Sequence, residues 1–363
     1  LVGSAVAFAL GTHLLTRYAA AGRPDAVALG LLALAIERVA RLSAKSGRVR
    51  VDFVGGALFA LAAWVKPNVI GAAPGAFAAC LLVRPASGER PLLRDVLGGI
   101  AAVLLVTAIV GGTLTALAGP VWIEHLLAST VQPPSRALLA THLASRAPFF
   151  ALPLGAALTL GVRSRMRPGA AIATGALVSS CMWAVVCLAK IGSAANYFME
   201  PCIVALVVLS HAEPTWAARI STRARLVVAT LLVAQVTYDG VAAIGSATSS
   251  IHDDRARAGA LEAVGETCPR RAGEVVLADE PGIELMLNGR IVQTPFQATH
   301  LARRGRFPLD AWIADVKHDK VACLVMQDDL LERPLSEVHI EHDRFGIELR
   351  RALATDGAHC RER

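Results

Sequence analysis

Before about residue 249 the chain is a succession of long apolar runs separated by short basic clusters, more apolar sequence than an ordinary soluble core can bury. Of its 363 residues 54% are hydrophobic and 18% charged, and the mean hydropathy is +0.51. The excess must face lipid. After about residue 249 the charge density rises sharply, so two environments and two domains follow: a transmembrane domain over 1–248 and a soluble domain over 249–363. The expected fold is a polytopic α-helical membrane protein of about nine helical segments with a C-terminal α/β extracytoplasmic domain.

A helix needs about 20 residues to cross the hydrocarbon, and somewhat fewer at the short end. Candidate spans cover 1–15, 25–40, 52–65, 68–83, 95–118, 147–162, 169–189, 197–211 and 225–247. Lys and Arg in short loops set their orientation. The clusters Arg38/Arg41/Lys45/Arg48/Arg50, Arg84/Arg90/Arg94, Arg163/Arg165/Arg167 and Arg219/Arg223/Arg225 fall at alternate loops and total fourteen. The intervening loops hold six, namely Arg17, Arg23, Lys66, Arg136, Arg146 and Lys190. The richer set is expected inside, and everything after residue 249 outside. The chain opens on Leu1 within an apolar run, without initiator Met or the charged leader of a signal peptide, and reads as a fragment lacking its true N-terminus.

Basic clusters on both sides of 52–83 must lie on one side of the bilayer, so this stretch crosses twice and turns at Lys66-Pro67-Asn68. Each arm of about 14 residues spans roughly 21 Å, short of a hydrocarbon thickness of about 30 Å. The turn is therefore expected below the outer surface, in protein or a wet cavity, because bare turns cannot face lipid.

Ionic groups at membrane depth cost at least about 2.5 kcal/mol each on insertion scales, which makes them functional candidates. On the expected outer side they are His13, Arg17, Arg23 and Asp25 at the first turn, Lys66 and Asn68 at the hairpin, and Lys190, Asn196, Tyr197 and Glu200 in KIGSAANYFMEP. Converging on one cavity, they would suit a lipid phosphate, with cations neutralising the anion and carboxylates handling a hydroxyl proton. Structural alternatives stand beside each: a helix N-cap for Asp25, a snorkelling lysine for Lys66, an aromatic-belt residue for Tyr197 and a first-turn charge for Glu200. The outer loop from Gly119 to Pro148 is expected to form two short amphipathic helices on the membrane surface around Pro133-Pro134, using Trp122, Ile123, Leu126 and Leu127 and then Leu138, Leu139 and Leu143.

In the soluble part GEVVLAD reads as a strand ending near Asp279, IELML as a short helix, LDAWIADVKHD as an amphipathic helix and VACLVMQ as a buried strand followed by Asp328-Asp329. No glycine-rich phosphate loop follows either strand. His339, Glu341, His342 and Asp343 match no tetrahedral ligand spacing, so no metal is expected, and a divalent-metal requirement has no support in the sequence. The formal charge of +7 is dispersed through inter-helix loops without interleaved aromatics, which argues against nucleic acid as a partner. Of seven Cys, those at 80, 181, 187 and 202 read as small buried hydrophobes. Cys268, Cys323 and Cys360 lie in the soluble part; Cys268 with Cys360 is one possible pair, and spacing leaves the connectivity open.

The order RPDAVAL, then ALAAWVKPNVIGAAPGA, then KIGSAANYFMEP resembles bacterial membrane glycosyltransferases of the GT-C class, in particular family 39 and the RgtA/B/C/D-like proteins related to protein O-mannosyltransferases. The tail with ADEPGIELMLNGR, TPFQATHLARRGRFPLDAWIADV and VACLVM is similar to that of many of them. The resemblance implies transfer of a sugar, with inversion, from a polyprenyl-phosphate donor to a lipid, glycan or protein acceptor on the outer face of the bacterial inner membrane. It implies Lys66 and Lys190 as phosphate partners, Asn196 and Tyr197 as substrate contacts, and Asp25 or Glu200 as supporting carboxylates, with Asn68 of the hairpin a further substrate-binding candidate from its position. The acidic residue that the family carries in its first outer loop is expected to precede Leu1. Two other function classes remain: a transporter or flippase of lipid-linked sugars, and a non-catalytic envelope assembly subunit.

Overall fold

The computed structural model describes residues 25–83, 93–120, 134–190, 195–212, 273–278, 281–290 and 321–325, with scattered positions at 122–126, 221–268, 305 and 314. The expected span 1–15 lies outside the described residues, as do His13, Arg17, Arg23, Arg84, Arg90, Arg219, Asp279, Asp328-Asp329, the 339–343 cluster and Cys360.

The described chain is mostly helical and divides into two units, one holding 1–122 and 133–247 and the other holding 123–132 and 248–363. The first contains α1 (Asp25–Ser46), α2 (Phe53–Val65), α3 (Ala72–Leu82), α4 (Arg94–Ala118), α5 (Arg136–Arg163), α6 (Pro168–Leu188), a 3₁₀ turn (Ala195–Phe198) and α7 (Met199–His211). The described residues among 222–248 are helical as well.

Two of these helices, α4 and α6, are long and apolar enough to cross a membrane, with mean hydropathies of 2.3 and 2.0 over their most apolar windows. They differ in environment. α6 is the hub, with Ala173, Ala176, Leu177 and Leu188 buried against α1, α3, α5 and α7. α4 touches α2 along one side and leaves Leu97, Leu104, Leu105, Ile109 and Leu117 exposed. Water would penalise that surface by about 25 cal/mol per Å², so α4 calls for lipid or another apolar cover.

In lipid no hydrophobic force drives helix against helix, and close approach through small residues takes its place. Among the described residues, glycines supply it at several crossings, two of which are backbone against backbone at the hairpin. Gly75 of α3 and Gly175 of α6 face each other so closely that a Cβ on Gly175 would meet the Gly75 carbonyl oxygen at 2.7 Å and the Ala79 Cβ at 3.0 Å. Gly56 of α2 and Gly99 of α4 likewise leave no room for a side chain on Gly56.

Differences from expectation are local. α1 continues to Ser46 rather than ending near residue 40, with an i,i+4 ion pair from Arg41 to Glu37 at 2.7 Å on its extension. α5 begins at Arg136 and runs 28 residues, so Leu138, Leu139 and Leu143 belong to its first turns and not to a separate surface helix. Ser135 explains the start, since its hydroxyl accepts from the Leu138 N–H at 3.2 Å and nucleates the helix just beyond Pro133-Pro134.

The second unit contains β1 (Val275–Ala278), α8 (Pro281–Asn288) and β2 (Val321–Val325), with the two strands parallel. Asn288 closes the α8 end of this layer: its side-chain amide accepts from Val276 N–H at 2.9 Å and donates to Val276 O at 2.7 Å. The structure pairs Cys268 with Cys323, which replaces the Cys268–Cys360 pair considered from sequence. The strand placement of Cys323 beside Val276 decides the partner, and chain spacing carries no trace of it.

Candidate functional site

α2 and α3 contain 13 and 11 residues, about 20 and 17 Å, and between them the chain turns at Lys66–Gly71. Backbone groups freed at such a break need partners away from bulk water, and here they come from α6 and α7. Trp183 Nε1 donates to Asn68 O at 2.9 Å. Ser179 Oγ donates to Gly71 O at 2.6 Å and accepts from Gly75 N–H at 3.0 Å. Gly75 would ordinarily bond Gly71 directly, so the hydroxyl sits inside the opened first turn of α3. The Ala72 N–H donates to Glu200 Oε1 at 2.5 Å and the Ala73 N–H to Ile70 O at 3.2 Å. Pro74, third in the helix, has no N–H to satisfy. Every donor in the first turn of α3 is thereby accounted for.

The same turn forms one wall of a recess. Leu29, Lys66, Asn68, Val69, Asn196, Tyr197 and Glu200 line it. Asn68 Nδ2 donates to the Tyr197 hydroxyl at 3.0 Å, joining the hairpin to the 3₁₀ turn ahead of α7. Lys190 Nζ lies 5.9 Å from the centroid of the Tyr197 ring, a cation–π distance. The end of α6 that carries Lys190 is fixed by an antiparallel bridge to Pro134 and by Ser135 N–H donating to Ala189 O at 2.6 Å. The recess holds about 10 Å³ of water-sized room within about 250 Å³ of empty space that includes its open mouth.

Five residues singled out in the sequence therefore line one recess, and Lys190 stands beside it. Asp25 opens α1 four residues before Leu29, and its side chain lies outside the described residues. Glu200 is 4% exposed, buried as a first-turn residue of α7, and its carboxylate is engaged by an amide of α3 rather than open to solvent. No protein-family model, curated protein or solved structure matches the chain. Its function has to be argued from this geometry.

Sequence reasoning passed over Ser179 and Trp183. They sit four apart on α6, one above the other on a single face, and a polar pair at that spacing in an apolar helix is the signal that marks interhelical hydrogen bonding.

The opposite end of the helical unit carries a second group of polar contacts. Arg38 Nε donates to the Asp52 carboxylate at 3.0 and 3.2 Å, and the Arg38 Nη2 also binds it. The Asp52 side chain accepts from Gly55 N–H at 3.0 Å and caps α2. Burial alone pushes the Asp52 carboxyl up, but the Arg38 bonds, the Gly55 N–H and the charges of Arg38 and Arg50 outweigh it and hold it below the usual carboxylate value. His211 Nε2 lies 3.0 Å from Glu37 Oε2, tying the end of α7 to α1. Among the described residues no three His, Cys, Asp or Glu side chains gather as a metal-ligand set.

Proposed function

We infer that this chain is a membrane glycosyltransferase that moves a sugar from a polyprenyl-phosphate donor to a lipid, glycan or protein acceptor, working at the outer face of a bacterial plasma membrane. One observation carries the reading: ionisable and amide side chains from separate helices converge on a single recess, at the end of the helical unit away from the basic loops. Lys66 and Lys190 neutralise the donor phosphate, and Asn68, Asn196 and Tyr197 orient it. In the transfer the bond from the sugar anomeric carbon to the phosphate oxygen breaks, the acceptor hydroxyl oxygen attacks the same carbon from the opposite face, and the hydroxyl proton passes to a carboxylate. Asp25, which opens α1 one turn before Leu29 of the recess, is proposed as a supporting carboxylate for that proton, as the resemblance implies.

Several helices then cross the bilayer, with α4 facing lipid, and the fourteen-to-six distribution of basic residues sets the orientation. The Cys268–Cys323 disulfide supports an outer location for the second unit, because such bonds persist in oxidising compartments. A transporter needs access from both ends, and the polar recess lies at one end only; the described contacts at the far end, Arg38–Asp52 and Glu37–His211, join neighbouring helices.

Purified chain in detergent, given a radiolabelled polyprenyl-phosphate sugar and membrane lipid acceptor, is expected to transfer the label. Lys66→Ala is expected to reduce transfer at least about tenfold, the effect of losing one charge-assisted phosphate contact of about 1.5–3 kcal/mol. Full transfer retained in both Lys66→Ala and Lys190→Ala would remove the recess from the reaction. Absence of transfer by the wild-type chain would remove the activity.

A further inference from the structure

We propose that Glu200 is a positioning residue: its carboxylate is the N-terminal cap of α3, supplied from α7, and it holds the Lys66–Gly71 turn in register with the recess. α3 lacks a side-chain cap of its own, since its N-cap position is Gly71. The Glu200 Oε1 accepts the Ala72 N–H at 2.5 Å from a residue 128 positions away in sequence. A carboxylate is the acceptor that suits a helix N-terminus best, because it meets both an unsatisfied N–H and the positive end of the helix dipole. Its burial at 4% exposure makes the placement costly unless those amides compensate it.

The consequence for the recess follows from connectivity. Lys66 and Asn68 sit six and four residues before Ala72, on backbone held by Lys66 N–H to Ala62 O at 3.0 Å, Val69 N–H to Lys66 O at 2.9 Å, Ala73 N–H to Ile70 O at 3.2 Å and the carbonyl contacts from Trp183 and Ser179. Releasing Ala72 frees the turn to drift relative to Tyr197, to which Asn68 is bonded. Because Glu200 already occupies the α3 N-terminus, an incoming anion meets the two lysines and not the helix dipole. The carboxylate acts through backbone, as a fixture of the site, and takes no proton from substrate.

The proposal builds on the transferase reading for its kinetic arm, and hydrogen exchange judges it independently of any activity. In the full chain in detergent, amides of a peptide covering 66–75 are expected to exchange about tenfold faster in Glu200→Ala than in wild type, with peptides from α5 unchanged, as loss of a cap opens one helix end locally. Glu200→Gln, whose amide oxygen still reaches the Ala72 N–H, is expected to keep wild-type protection and at least about a third of the transfer, with an unaltered pH profile. If Glu200→Ala does not fold, Glu200→Asp, one methylene shorter, serves the same comparison and is expected to loosen 66–75. Unchanged protection in Glu200→Ala or Glu200→Asp overturns the cap. Wild-type protection with transfer abolished in Glu200→Gln also overturns it, because the carboxylate would then have a chemical task. If wild-type chain shows no transfer at all, the transferase reading fails alone and the exchange comparison still decides the cap.

Discussion

Ser179 and Gly175 stand one turn apart on α6 and together let α3 approach it: the glycine removes a side chain from the crossing, and the hydroxyl fills the broken hydrogen bond between Gly71 O and Gly75 N–H. Ser179→Ala leaves both groups without that partner in a buried crossing, and is expected to destabilise the helical unit by about 1–3 kcal/mol, read as a lower midpoint of thermal unfolding in detergent. Gly175→Ala sets a methyl against the Gly75 carbonyl oxygen and is expected to cost about 1–3 kcal/mol in the same assay. Gly112→Ala is the control, since a Cβ there meets nothing within 4 Å, and it is expected to be neutral or stabilising by up to about 1 kcal/mol. The polar residues of the recess were legible because each interrupts an apolar run. What Glu200 bonds was not, because its partner lies in another helix and leaves no local pattern.

At the level of elements, charge bookkeeping led to the expectation of a turn at Lys66-Pro67-Asn68, by placing both basic flanks on one side, and the structure has a turn there between α2 and α3. α5 was misread because a double proline looks like a break in the middle of something, whereas Ser135 just after it starts a helix. The junction of α1 and α2 rests on Asp52, which caps α2 and binds Arg38 of α1. Its carboxyl is held below the usual value, so the stabilisation is fully present above the unfolded value of about 3.9 and is lost as pH falls through the lower folded value. Thermal midpoints measured between about pH 3 and pH 7 are expected to drop at the acid end in wild type. Asp52→Asn is expected to lower the midpoint near neutrality and flatten that acid limb; an identical limb in the variant would assign it to other groups.

For the whole molecule, the two units are held together differently: the first by close helix crossings, the second by a disulfide. The second unit closes a 55-residue loop with Cys268–Cys323, worth about 4 kcal/mol in the chain-entropy account. Reduction, or Cys268→Ser, is expected to loosen β1 and β2 in hydrogen exchange while α6 keeps its protection; equal protection with the disulfide gone would contradict this. Orientation is open to labelling on intact cells with a membrane-impermeant thiol reagent. A cysteine at the exposed Pro67 is expected to react, and one at the exposed Lys45 to react only after the cells are opened. The reverse result would invert the proposed topology and place the recess inside.

Period, hydropathy and charge are properties of neighbours along the chain, and they sufficed for the mostly helical character and for the turn that begins at Lys66-Pro67-Asn68; five of the polar residues they singled out line the recess, while Leu29 and Val69 of its lining carried no such signal. Tertiary structure alone decided which groups meet: that α6 is the hub, that Cys268 joins Cys323, and that a carboxylate beginning α7 caps α3. Hydrogen bonds and disulfides between distant segments are settled by where backbones converge in space, and a linear pattern holds no record of that distance.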